Sequence, residues 1–173
     1  MKNAIVYYSF TNNNANLAVY LSRRLNCERF RIETIKRRTG FSIFLDIIFR
    51  RKPAVRRVHV CLADYDHVIF IAPIWAGQIA APLVSFMMKE KEMINQYSFI
   101  SLCSGAKGQK DKIERELVFV MGKNPQAHVQ LSVNDLPATQ DKPAAGNIDY
   151  QMLHVYDEQL NEFIHAFDLA GAV

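Results

Sequence analysis

Three short clusters hold most of the side chains in this chain that could do chemistry. The first is Ser9-Phe10-Thr11-Asn12-Asn13-Asn14, a run of hydroxyls and amides just ahead of apolar residues at helical spacing (Leu17, Ala18, Leu21, Leu25). At a helix start such residues sit beside unpaired backbone N–H groups and the positive end of the helix dipole. That suits a phosphate without any Lys or Arg, and it equally suits an ordinary helix N-cap. The second cluster, Pro73-Ile74-Trp75-Ala76-Gly77, carries the one tryptophan of the chain. A loop Trp beside glycine can stack on a planar ring while the backbone comes close; the alternative is a Trp packed over a sheet edge. The third, Cys103-Ser104-Gly105-Ala106-Lys107-Gly108, can turn tightly and aim N–H groups at carbonyls or ring nitrogens. It also serves as a plain strand-to-helix turn.

No catalytic acid, base or nucleophile stands out. Nothing around Cys103 marks it as an attacking thiol, and the five histidines show no metal-ligand spacing. Neither a Gly-x-Gly-x-x-Gly nor a Gly-x-x-x-x-Gly-Lys-Ser/Thr motif is present.

The elements that must position these clusters follow from periodicity. Ala4–Tyr8 reads as a buried strand, Phe30–Ile32 as a second, Val68–Ala72 as a third, Tyr97–Leu102 as a fourth and His128–Val133 as a fifth. Helical spacing follows the first, third and fourth strands. Pro82 sits near one helix start, where its missing N–H costs little, and 111–122 forms another helix. Phe41–Phe49 reads as an apolar helical piece, 134–149 as a loop, and Met152 to Phe167 as a last amphipathic helix. Strands alternating with helices predict an α/β fold, a doubly wound five-stranded parallel sheet with helices on both faces. In such folds ligands bind at the carboxyl ends of the strands, near the point where strand order reverses. The three clusters fall at those ends.

Here the residues carry a resemblance. Tyr7 to Asn14 resembles the phosphate loop of flavodoxins, Ser/Thr-x-Thr-Gly-Asn-Thr. Ala72 to Gly77 is similar to their ring-stacking loop, and Ser101 to Gly108 sits where their third, ring-contacting loop belongs. The resemblance implies a flavodoxin-like fold with strand order 2-1-3-4-5 and bound FMN. It implies that Ser9, Thr11, Asn12, Asn13 and Asn14 hold the phosphate, with Phe10 in the same loop. Pro73, Ile74, Trp75, Ala76 and Gly77 would meet ribityl and isoalloxazine, and Cys103, Ser104 and Gly105 would border the ring's pyrimidine end. Asn12 stands where the family has Gly and Asn14 where it has Thr; Asn tolerates a left-handed backbone and offers amide donors. The third loop lacks an aromatic residue, which leaves one ring face open unless 36–57 or 134–149 covers it.

The whole chain, 173 residues at 50% hydrophobic and 22% charged, has the profile of one domain, residues 1–173. It has enough apolar surface to exclude disorder. Its N-terminus lacks the pattern of a signal peptide and no run suits a membrane span. The three cysteines fit no disulfide framework or zinc pattern, so they are expected to be reduced thiols of a cytoplasmic protein. The net charge of +4 is concentrated in a basic insert at about 34–57. There Lys36, Arg37, Arg38, Arg50, Arg51, Lys52, Arg56 and Arg57 face a single acid, Asp46. Flavodoxins are acidic, so the segment fits a housekeeping shuttle poorly; it reads as a solvated helix with basic flanks covering a sheet edge, or else as a lid, a homodimer contact or a docking surface for an acidic partner. Nucleic acid and membrane partners are not expected. The functional expectation is electron transfer or FMN-dependent oxidoreduction, with a redox partner protein or a small acceptor such as a quinone. The alternative is a binding module that has kept the fold and lost the flavin, working through its basic segment.

Overall fold

Successive side chains on a strand point to opposite faces, and that alternation divides the core in two. The computed structural model describes residues 1–105, 108–136 and 148–170, with side chains as far as 168. In chain order the elements are β1 (Asn3–Tyr7), α1 (Asn13–Arg24), β2 (Glu28–Arg31), α2 (Gly40–Phe49), β3 (His67–Ile71), β4 (Ile74–Trp75), β5 (Gln78–Ile79), α3 (Ala81–Glu90), β6 (Gln96–Cys103), α4 (Gln109–Met121), β7 (His128–Ser132) and α5 (Asp157–Ala170). Val68 and Phe70 of β3, with Tyr97 and Phe99 of β6, pack against Leu83 and Phe86 of α3 and Ile113 and Leu117 of α4. Ile69, Ile71, Ile100 and Leu102 face the other way, onto Leu17 and Leu21 of α1 and Leu160 and Phe163 of α5. All five residues of β3 are buried, as a central strand covered on both faces requires.

The main sheet has the order β2-β1-β3-β6-β7, with every neighbouring pair parallel. Set the separate β4–β5 hairpin aside and this is the expected 2-1-3-4-5 arrangement. Strand order reverses between β1 and β3, so the chain leaves their carboxyl ends in opposite directions and opens a crevice there. The far edge, β2, is mostly exposed and bears Glu28, Arg29 and Arg31, charges that discourage edge-to-edge pairing. On the α1 face, the Tyr20 hydroxyl donates to Asp157 Oδ1 at 2.5 Å and Arg24 Nη1 lies 2.6 Å from the same oxygen, fixing α5 against α1.

The basic insert is a closed excursion. An antiparallel bridge between Thr34 and Val55 pins its base, with Ile35 N–H donating to Ala54 O at 3.1 Å and Arg56 N–H to Glu33 O at 2.7 Å. Within it α2 starts on a capping box: Thr39 accepts from Ser42 N–H and Ser42 accepts from Thr39 N–H. Helix α2 buries Ile43 and Asp46 and leaves Phe41, Phe44, Ile48 and Phe49 exposed. Asp46 pairs with Arg38, and that ion pair is itself nearly buried.

Several boundaries differ from the sequence reading. The second strand is Glu28–Arg31 rather than 30–32, because an edge strand lacks the apolar signature that a covered strand shows. Helix α4 begins at Gln109 instead of 111. Residues 133–135 form a 3-10 turn, as do 150–156 before α5. Of the loop expected at 134–149, residues 137–147, including Pro137, Pro143 and Gly146, lie outside the described residues, as do Ala106 and Lys107. None of the described helices is long and apolar enough to cross a membrane.

Candidate functional site

At the carboxyl end of β1 the chain must reverse into α1 within a few residues. Asn12 makes the turn in a left-handed conformation, φ 69°, at the position where the flavodoxin loop has glycine. Asn carries that strain better than other residues with a Cβ. Its side chain makes no capping hydrogen bond, so the first-turn N–H groups of α1 are not closed off by it. In the same loop Ser9 is 6% exposed, and its hydroxyl is buried without a partner. A buried unpartnered hydroxyl is costly, and native structures usually reserve such a group for a ligand or water.

The other two asparagines have different roles. Asn14 is buried; its Nδ2 donates to Leu102 O at 3.1 Å and its Oδ1 accepts from Leu102 N–H at 3.0 Å. Pairing between β3 and β6 ends at Ile71 and Ile100, so Leu102 has no strand neighbour on that side. The amide of Asn14 stands in for one. The Asn14 oxygen and one of its two amide N–H donors are thus committed to β6. Asn13 Oδ1 accepts from Ile148 N–H at 2.9 Å, and Asn16 Nδ2 donates to Ile148 O at 2.8 Å, a second staple of the same kind.

After β3 the chain forms the β4–β5 hairpin. Trp75 pairs with Gln78 across a two-residue turn in which Ala76 (φ 49°) and Gly77 (φ 68°) are both left-handed. This is the primed turn that suits a tight hairpin, and the first central residue is alanine where Asn or Gly is usual. Trp75 thus lies on a strand, partly buried, instead of in an exposed loop. Its ring stands edge-on to Tyr8 at 6.0 Å and to Phe10 at 6.1 Å, and Phe10 is exposed. Burial raises the pKa of the Tyr8 phenol, with the charge of Arg38 opposing. The hairpin is held from behind by α4, whose Glu116 Oε2 accepts the Ile79 N–H at 3.0 Å. Burial raises the Glu116 carboxyl, opposed first by this hydrogen bond and then by Lys112 and Arg50. A Cβ on Gly77 would come within 3.1 Å of Lys112 Nζ. Glu116 and Lys112 were not singled out in the sequence; their i,i+4 spacing on α4 is the signal that they share a face.

The third loop leaves β6 at Cys103. Gly105 is left-handed at φ 64°, and a Cβ there would press on Ser132 Oγ at 3.3 Å. Asn134 Nδ2 donates to Ser104 O at 2.8 Å, and the Gln109 amide approaches the buried Cys103 Sγ at 3.6 Å. Ser9 to Asn12, the Trp75 hairpin and Cys103 to Gly105 thus all follow the carboxyl ends of sheet strands. Pro73 and Ile74 lead into the hairpin, and Pro73 O accepts from Ala80 N–H at 3.0 Å.

Two histidines belong to the sheet strands rather than to these loops. His67 is fully buried within β3, its Nε2 3.0 Å from Ser98 Oγ, and burial lowers its pKa to about 4. His128 is lowered to about 4 by burial and then by the charge of Lys110. All three cysteines are free, and burial pushes the Cys27 thiol up to about 11. Among the described residues no group of three or more His, Cys, Asp or Glu could hold a metal ion.

A five-stranded parallel sheet in this order, with its polar and aromatic loops at the switch point, defines the flavodoxin-like class of doubly wound α/β folds. Solved structures bear this out. The flavoprotein from Lactobacillus acidophilus NCFM, in complex with FMN, superposes with a TM-score of 0.65 at 14% identity, over 75% of this chain and 92% of that one. A candidate flavoprotein from Bacteroides eggerthii DSM 20697 gives 0.65 at 13% identity over 92% and 98% of the two chains. Another, from Bacteroides uniformis ATCC 8492, gives 0.65 at 18% identity over 76% and 90%. No family model matches the sequence, and no curated protein matches it. At these identities the likeness establishes the fold, which is flavodoxin-like.

Proposed function

We propose that the chain binds FMN across the loops after β1, β3 and β6, and acts as an electron-transfer protein or an FMN-dependent oxidoreductase. The observation that carries this reading is the loop before α1. Asn12 turns left-handed and its side chain makes no cap on α1, while Ser9 keeps a buried hydroxyl without a partner among the described residues. A phosphate monoester fits that chemistry: its oxygens accept from backbone N–H groups at the positive end of the helix and from the serine hydroxyl. Trp75 and Phe10 supply aromatic surface for a planar ring, and Ser104 and Gly105 supply close backbone. The shared fold of a solved flavoprotein that holds FMN supports the assignment. When bound, the flavin supplies the redox chemistry, and the chain supplies anchoring, orientation and an electrostatic setting. No side chain is assigned as acid, base or nucleophile. The electron acceptor in this reading is a redox protein or a small molecule such as a quinone.

A second reading, a module that has lost the flavin, draws on the commitment of the Asn14 amide to β6. One titration separates the two. FMN is added to the purified protein and followed by absorbance and flavin fluorescence, with Trp75→Ala alongside. Saturable binding at micromolar or tighter, weakened about tenfold by the substitution as loss of an aromatic stack implies, supports the flavoprotein. No binding at near-millimolar FMN sinks it. Turnover with a nicotinamide nucleotide and a quinone then distinguishes an enzyme from a shuttle.

A further inference from the structure

Behind the hairpin that carries Trp75, and lined in part by its second strand, α2, α3 and α4 border a cleft of about 330 Å3. Its cationic side is Arg50, Arg51, Lys52, Lys112 and Arg115, and its apolar side includes Val84, Met88 and Phe119. None of the five cations forms an ion pair with another described residue. Of the two carboxylates in the lining, Asp46 pairs with Arg38, and Glu116 accepts the Ile79 N–H and feels the charges of Lys112 and Arg50, so five cations stand against one carboxylate not already paired. The cleft therefore carries a strong positive excess on one side. On the other side Phe119 is 84% exposed, a large apolar surface left to water.

The backbone adds an independent sign. Helix α2 ends at Arg50, which is left-handed at φ 48°, the position where glycine usually closes a helix. A residue with a Cβ is strained there. Arg50 and Arg51 both donate their N–H groups to Asp46 O, so the turn is held, and it leaves Arg50, Arg51 and Lys52 lining the cleft. Strain retained at a ligand-sized cavity points to use of the side chain.

We infer that this cleft binds a small organic anion with an apolar ring body, its carboxylate or phosphate among Arg50, Lys112 and Arg115 and its rings on Val84, Met88 and Phe119. The volume is at the lower end for small-molecule sites and takes two or three fused rings. Neither half of the lining suffices alone: the cations would hold any anion weakly in water, and the apolar wall gives no orientation. The inference does not depend on the FMN reading and is tested without flavin.

The probes are 2-naphthoate, its uncharged amide 2-naphthamide, and inorganic phosphate, each titrated calorimetrically into the full chain at low ionic strength. Naphthoate binds saturably and about tenfold or more tighter than either the amide or phosphate. The double variant Lys112→Ala/Arg115→Ala loses that preference, and Phe119→Ser weakens acid and amide alike. These three side chains are exposed, so the variants keep the fold, which far-UV circular dichroism checks. Phe10→Ala, which removes an aromatic from the β1 loop, binds naphthoate as the wild type does. Equal binding of acid and amide overturns the inference. So does wild-type affinity in the double variant, or a loss in Phe10→Ala that moves the acid to the other loops.

Discussion

Replacing Asn14 with alanine should cost this protein about 3 kcal/mol of stability. The amide of Asn14 supplies one donor and one acceptor to the peptide groups of Leu102, at 3.1 and 3.0 Å, where β6 has outrun its neighbour β3. Leu102 is 3% exposed. In Asn14→Ala both its N–H and its C=O lose their partners, and each buried unsatisfied group costs about 1–3 kcal/mol. A water entering the space recovers part of the total of about 2–6 kcal/mol, which leaves about 3 kcal/mol. Against a total stability of about 5–15 kcal/mol, this is a large fraction. Urea denaturation followed by far-UV circular dichroism reads it as a midpoint shift of about 1–2 M, given an m-value of about 2 kcal/mol/M. Asn12→Gly, two residues away, should shift the midpoint slightly upward, because glycine relieves the left-handed backbone. The opposite signs of two neighbouring asparagines make the test specific. A loss under about 0.5 kcal/mol in Asn14→Ala would refute the view that this amide acts as a missing strand residue.

Stability should also fall as pH drops from 8 to 5. His67 and His128 have folded pKa values near 4, below the usual 6.5, so the unfolded chain takes up protons first. Their contribution is complete above pH 6.5 and is lost towards pH 4; for His67 the loss reaches about 2 kcal/mol by pH 5, and it is less for the more open His128. The raised Glu116 carboxyl offsets part of this as it takes up its proton. NMR titration checks the cause, and a His67 that titrates near 6.5 contradicts it. Ala76→Gly should stabilise the hairpin turn by about 0.5–1 kcal/mol, while Gly77→Ala destabilises by at least as much, since it adds a left-handed Cβ near Lys112 Nζ; thermal denaturation of both variants reads the contrast. Glu116→Ala strands the buried Ile79 N–H and should cost about 1–2 kcal/mol, with a change in Trp75 emission, whereas Glu116→Gln keeps an acceptor and spares most of both.

The sheet was readable because its central strands are apolar on both sides. The five all-buried residues of β3 announce themselves, and β1 and β6 are nearly as clear. The edge strand β2 was misplaced by two residues because Glu28 and Arg29 face solvent and leave no apolar trace. The β4–β5 hairpin went unseen for a different reason: its turn depends on Ala76 at φ 49°, and alanine gives no hint of a left-handed backbone. Within the site, the Asn12 turn was foreseeable from the glycine it replaces. The use of Asn14 was not, because an amide next to a helix start looks the same whether it faces an anion or a strand. Only the relative lengths of β3 and β6 decide, and those are set by contacts far apart in sequence.

The hairpin connects the two places where a ligand is proposed. Its first strand holds Trp75 against Tyr8 and Phe10, on the side of the β1 loop. Its second strand, Gln78 and Ile79, lines the cationic cleft and is tied to α4 by Glu116. The Gln78 amide also reaches Ile47 O at 3.4 Å, so the basic insert leans on the same strand. With two residues in each strand, the hairpin has little stability of its own and takes its position from what it touches. An anion drawn to Lys112 and Arg115 changes the field at Glu116, and Glu116 holds Ile79, whose cross-strand neighbour Ile74 precedes Trp75. The cleft thereby has a physical route to the tryptophan through α4 and the hairpin: an anion held there need not enter the three loops to alter the surface on which a planar ring would stack.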